Sequence, residues 1–155
     1  REMFQGASAF NQPLSLDTSK VTTMQDMFRY ALAFNQPLSF DTSSVTNMGN
    51  MFDAANALSD AIKFFIRCAW AGTSAFASAG YGSSWAPGTC PATFTNKASL
   101  RTAAQEYNAN AATATATYGP ISSWGVSAVT DMSNLFYYLN QFNADISSWD
   151  TSSVT

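Results

Sequence analysis

Three aspartates, Asp17, Asp41 and Asp150, occupy one position of a recurring phrase, each followed by Thr and Ser. Carboxylates lined up in this way could act as a ladder of oxygen ligands for Ca²⁺. The same residues suit a plainer task, because an Asp ahead of Thr-Ser can accept a backbone N–H and turn the chain. Thr18, Thr42 and Thr151 follow these aspartates, and Thr22, Thr46, Thr130 and Thr155 recur later in the phrase. A flat rank of threonines at a strand spacing of about 4.8 Å would order water as an ice-binding face must; the run TATAT at residues 113–117 adds to this pattern. The alternative is hydroxyls that satisfy turn backbones. Trp124, Trp149, Tyr137 and Tyr138 offer aromatic faces for sugars, but the two tryptophans share one repeat position, which favours core packing.

Other chemistry is excluded by residue type. The chain contains no His, so Ser-His-Asp and Cys-His catalysis are absent from it. Nothing singles out a carboxylate pair for glycoside hydrolysis. No catalytic residue, metal site or cofactor is therefore expected. Cys68 and Cys90 are too few for a zinc site; they read either as buried thiols or, in an extracellular protein, as a single disulfide. The net charge of −3 argues against a nucleic-acid partner. No apolar run approaches the roughly 18 residues of a membrane span. Only 11% of residues are charged, so Ser, Thr, Asn and Gln supply most of the polar surface of this 155-residue chain.

The elements that would position these residues follow from the repeat. Met27-Phe28 repeats Met3-Phe4 after 24 residues, and Met51-Phe52 repeats it again. Phe10-Asn11-Gln12-Pro13-Leu14 returns from Phe34 to Leu38. The phrase then lapses and resumes: Ile121-Ser122-Ser123-Trp124 returns as Ile146-Ser147-Ser148-Trp149, with Leu135-Phe136 and Phe142-Asn143 in the earlier Met-Phe and Phe-Asn places. Val21, Met24, Met27, Phe28 and Ala31 have the spacing of a short helical stripe. Leu14-Ser15-Leu16 and Leu38-Ser39-Phe40 alternate as short strands do, with Pro13 and Pro37 at their entrances. One such coil buries too little to offset its ordering entropy, so coils are expected to stack and to pair their strands in parallel.

The expected fold class is therefore an α/β repeat. It is a leucine-rich-repeat-like solenoid of short parallel strands and short helical turns, interrupted by a helical capping segment. The organisation predicted is a first array over 1–57, a helical cap and loop over 58–117, and a second array over 118–155. Within the cap, Leu58, Ile62, Phe65, Ile66 and Ala69 predict an amphipathic helix opened by Ser59 or Asp60 and ended by Gly72. A second helix runs from a cap at Thr95 or Asn96 to Tyr107, with Leu100, Ala103, Ala104 and Tyr107 on one face.

The phrase MF…A..FN followed by DTS.VT.M..MF resembles the 25–26-residue repeat of bacterial surface proteins, the BspA-like leucine-rich-repeat group also known from mycoplasma lipoproteins. The resemblance covers 1–52 and 118–155; Gly125 stands where the repeat has Asp. It implies a leucine-rich-repeat-like solenoid, an extracellular or cell-surface location, and a non-catalytic role in adhesion, protein–protein contact or structural assembly. The competing reading is a small-ligand module for carbohydrate, ice or calcium on a repeat face. Expected partners are proteins, surface glycans, or further copies of the chain head-to-tail. The last expectation comes from register: the start at Arg1-Glu2-Met3-Phe4 suggests a fragment of a longer chain. Two residues added after Thr155 would let another copy continue the coil.

Overall fold

A computed structural model describes residues 2–155. The chain divides into two compact units, residues 1–87 and 88–155. The first contains α1 (Asp60–Ala69) and α2 (Ser74–Ser78); the second contains α3 (Lys97–Ala109), α4 (Ala111–Tyr118) and a 3-10 turn, Ile121–Ser123. The helical segment expected as one block over 58–117 is thus divided between them. No helix among the described residues is long and apolar enough to cross a membrane.

The expected α/β solenoid of leucine-rich-repeat type is not formed. Among the described residues there is no β-sheet, only two isolated parallel bridges, Thr23 with Asn47 and Thr93 with Gly125. No backbone hydrogen bond joins the Leu14-Ser15-Leu16 segment to Leu38-Ser39-Phe40. Pro13 and Pro37 have no N–H to offer there, and side chains bridge the neighbouring positions instead. The Asn35 N–H donates to Asn11 Oδ1 (2.9 Å), and Thr18 Oγ1 donates to the Asp41 carbonyl (2.7 Å).

Successive repeats of the first unit nonetheless stack, through a different backbone device. The N–H groups of Met24, Asp26, Phe28 and Tyr30 donate to the carbonyls of Asn47, Gly49, Met51 and Asp53 at 2.9–3.0 Å. Met27, Arg29 and Ala31 donate three residues back, to Met24, Asp26 and Phe28. The carbonyls of Gln25, Met27 and Arg29 accept from Glu2, Phe4 and Gly6. Even-numbered N–H groups of residues 24–30 thus reach the following repeat, and Met27, Arg29 and Ala31 close tight turns, so this stretch pairs its N–H groups without strand or helix.

The alternation depends on left-handed residues. Asp26, Tyr30, Asn50 and Ala54 have φ of 56°, 59°, 52° and 56°. Two such residues flank Met-Phe in each repeat, four positions apart. They interrupt the right-handed path that the stripe Val21, Met24, Met27, Phe28 and Ala31 predicts, which is why that stripe buries its side chains but forms consecutive turns rather than a helix.

The rings follow the same period. Phe28 lies parallel to Phe4 (5.3 Å between centroids) and Phe52 (5.8 Å), and against Phe34 (4.3 Å). Phe28 and Phe52 share one core with Met24, Met51 and Leu38. At the far side of the last repeat, Trp70, Tyr81 and Trp85 pack on Phe52. Tyr81 Oη accepts the Phe52 N–H (2.9 Å), the place that a following repeat's carbonyl would take. α1 starts at the expected cap, where Ser59 Oγ accepts the Ile62 N–H. Its buried face differs from the expected one. Ile66 and the following Trp70 are buried, whereas Phe65 is 48% exposed, because positions four apart share a helix face.

The second unit begins with its helices. Asn96 caps α3 by accepting the Ser99 N–H (3.0 Å). Leu100, Ala103 and Ala104 are buried, and Leu100 and Ala103 join a core with Trp124, Val129 and Leu135. TATAT forms part of α4, capped by Asn110, so those threonines contribute to no flat rank. Gly119 turns the chain at φ 73°, where a Cβ would fall 2.9 Å from Pro91 Cα. The coil that follows repeats the first unit's turns. Leu135, Tyr137 and Leu139 donate to Met132, Asn134 and Phe136, with Asn134 and Tyr138 left-handed.

Candidate functional site

The repeated aspartates sit on the outside and hold turns. Asp17 Oδ1 accepts from Ser19 N (3.0 Å) and Ser19 Oγ (2.7 Å). Asp41 Oδ1 accepts from Ser43 N (2.9 Å), and Asp150 Oδ1 from Ser152 N (3.1 Å). Asp131 and Asp145 do the same with Ser133 and Ser147. These bonds stabilise the ionised form, so each carboxyl titrates below its usual range. For Asp17 and Asp150 the serine hydroxyl is the leading cause, and for Asp41 and Asp145 the serine N–H. Asp41 is opposed weakly by the charge of Asp17, which places the two carboxylates within electrostatic reach. Among the described residues, no group of three or more His, Cys, Asp or Glu is placed to hold a metal ion.

The threonines have dissimilar environments. Thr18 is buried, and Thr42 Oγ1 meets Thr73 Oγ1 at 2.5 Å. Thr46 Oγ1 donates to the Thr22 carbonyl (3.1 Å), linking two repeats. Thr151 is exposed, and its carbonyl accepts the Val154 N–H. Trp124 and Trp149 are buried and stacked at 6.2 Å. Their indole N–H groups donate to the carbonyls of Gly119 and Ile121. Tyr137 and Tyr138 are exposed, at 56% and 76%, with their rings 4.2 Å apart. Cys68 and Cys90 are both disulfide-bonded.

Residues not singled out from sequence organise the exposed side of the second unit. Arg101, on α3, donates through its guanidinium to the carbonyls of Asn134, Leu135 (2.8 Å) and Tyr137 (3.2 Å). Leu135 and Tyr137 match Met27 and Arg29 turn for turn, and in the first unit those carbonyls accept from the preceding repeat. A planar cation with several fixed donors thus substitutes for a neighbouring backbone. Asn108 adds a side-chain acceptor for the Gln141 N–H (2.9 Å). Lys97 reaches Asp131 and Ser133 and holds the Asp131 carboxyl far below its usual range, the lysine bond being the main cause. Lys97, Arg101, Asn134 and Tyr137 border an open depression of about 580 Å³. Only the left-handed positions had a sequence signal, and only in part: Asn50 and Asn134 favour that conformation, whereas Tyr30, Ala54 and Tyr138 do not advertise it.

The geometry is one of repeated polar groups on the outside spent on holding turns, with Tyr137 and Tyr138 exposed beside them. No curated protein and no solved structure matches the chain. Residues 1–80 and 93–155 match the model of a family described as "Mycoplasma protein of unknown function, DUF285", and the chain belongs to that family.

Proposed function

We propose that this chain is a non-catalytic, exported repeat protein, of the kind found on mycoplasma surfaces, that works by making contacts: adhesion, protein–protein binding or structural assembly. The observation that carries the reading is the use of its recurrent polar residues. Asp17, Asp41, Asp131, Asp145 and Asp150 each bond a serine two residues on, and Arg101 bonds backbone carbonyls. Such groups build a surface rather than converge on a reacting centre. Two disulfide-bonded cysteines suit an oxidising compartment outside the cytosol. Exposed tyrosines beside a polar rim are the composition favoured at contact surfaces.

The test is antibody labelling of intact cells that make the protein, paired with binding of the purified chain to arrays of extracellular proteins and glycans. Labelling of intact cells with saturable binding to an array member is the expected result. Labelling only after lysis, or no binding above a denatured control, overturns the reading. Calcium titrations run alongside; heat release that saturates at one ion per repeat would favour the small-ligand reading instead.

A further inference from the structure

Lys97 and Arg101 are the only cationic side chains of the second unit, which carries four carboxylate side chains. Both cations nonetheless line one open depression, together with Ser133, Asn134 and Tyr137. They stand four residues apart on α3 and so share a helix face. The depression lies between that face and the turns at 131–137, on the side of the repeat that α3 closes. Openness at this place belongs to the repeat itself. Arg29, which matches Tyr137, sits in a repeat bonded on both sides, and its side chain is still 33% exposed.

The two cations are held in different ways. Lys97 Nζ donates to Asp131 and to Ser133 Oγ (2.9 Å), so a carboxylate offsets its charge. Arg101 has no carboxylate partner among the described residues. Its Nη1 donates to the carbonyls of Asn134 and Leu135, and its Nη2 to that of Tyr137. These neutral oxygens fix the guanidinium plane without cancelling its charge, and the Nε–H and one Nη2 hydrogen are left to donate. Ser133 Oγ accepts from Lys97 and retains its own hydroxyl hydrogen. The side-chain amide of Asn134, an exposed residue, is bonded to nothing among the described residues. One uncompensated positive charge, a hydroxyl, an amide and an exposed aromatic ring therefore meet in one place.

We infer that this depression binds an acidic sugar. Its carboxylate or sulfate pairs with Arg101 and Lys97, its hydroxyls bond Ser133 and Asn134, and its apolar face packs on the Tyr137 ring. Two cations are too few for the many phosphates of a nucleic acid or for an anionic membrane surface. An acidic peptide brings carboxylates but no rigid ring of hydroxyls for Ser133 and Asn134. Such a site narrows the contact-making reading above, on which it rests, to one class of ligand on one face.

Amide chemical shifts of the purified chain supply the test. The probes are a glucuronate-bearing disaccharide, a sulfated disaccharide, the uncharged disaccharide and hexaglutamate. Saturable shifts are expected at Lys97, Arg101, Ser133, Asn134 and Tyr137. At least one charged sugar is expected to bind about tenfold or more tightly than the uncharged one, and the tighter of the two identifies the anionic group. Lys97→Gln and Tyr137→Ala are each expected to weaken that binding about tenfold; the spectra of the unliganded variants verify that each folds. No saturation by about 10 mM charged sugar, equal affinity for the uncharged sugar, tighter binding of hexaglutamate, or affinity unmoved by both variants overturns the inference. Any of these leaves cell labelling and binding to protein arrays, the supports of the broader reading, unaffected.

Discussion

Phe28 is the residue whose loss most directly tests the stacking of repeats. Its ring is fully buried and lies between Phe4 and Phe52, with Phe34 at its side. Replacing it with alanine removes the transfer energy of the ring and leaves a cavity that flanking rings from three repeats cannot easily fill. Fully buried Phe→Ala changes cost about 3–5 kcal/mol, and the parallel ring contacts favour the upper part of that range. A compact unit of this size has a total stability of about 4–13 kcal/mol, so Phe28→Ala is expected to remove a large part of it.

Phe10 stacks on Phe34 at 6.0 Å but is only half-buried. Its truncation is expected to cost about half as much, in proportion to the area withdrawn from water. Amide hydrogen exchange read by mass spectrometry resolves the effect within the first unit. The N–H groups of Met24, Asp26, Phe28 and Tyr30 are protected by the next repeat. A loss of about 4 kcal/mol accelerates their exchange by about a thousandfold when opening is in rapid equilibrium. Acceleration below about tenfold in Phe28→Ala, or a larger effect in Phe10→Ala, would refute the shared column of rings.

Two further perturbations address the second unit and the turns. Arg101→Ala strips donors from the Leu135 and Tyr137 carbonyls and is expected to cost about 1–3 kcal/mol by urea denaturation. Arg101→Lys should recover only part of this, since an ammonium lacks the planar fork; full recovery would show that charge alone suffices. Acid should loosen the turns. The carboxyls of Asp17, Asp41, Asp131, Asp145 and Asp150 all titrate lower folded than unfolded, so their contribution is present above the unfolded value near pH 4 and fades as pH falls through the folded values. Thermal midpoints should therefore be flat above about pH 5 and fall below it; midpoints that rise on acidification would contradict the turn-holding role.

Much of the architecture is determined by local pattern and was legible in the sequence. The 24-residue period, the burial of Met24, Met27, Phe28 and Ala31, and the caps at Ser59 and Asn96 depend on residue spacing and nearby backbone groups. So does the Asp-x-Ser turn, in which an acceptor and a donor two residues apart have few alternatives. The secondary structure joining successive repeats was decided only in three dimensions. Alternation at Leu14-Ser15-Leu16 predicts a strand, yet a strand exists only where a partner backbone lies at the right distance. Here side chains of Asn11 and Thr18 bridge the neighbouring positions instead. Left-handed Tyr30, Ala54 and Tyr138 likewise carry no local preference for that conformation. They are held there because the inter-repeat bonds form only if the backbone alternates, and many such bonds together outweigh a local cost of about 1–2 kcal/mol at each residue.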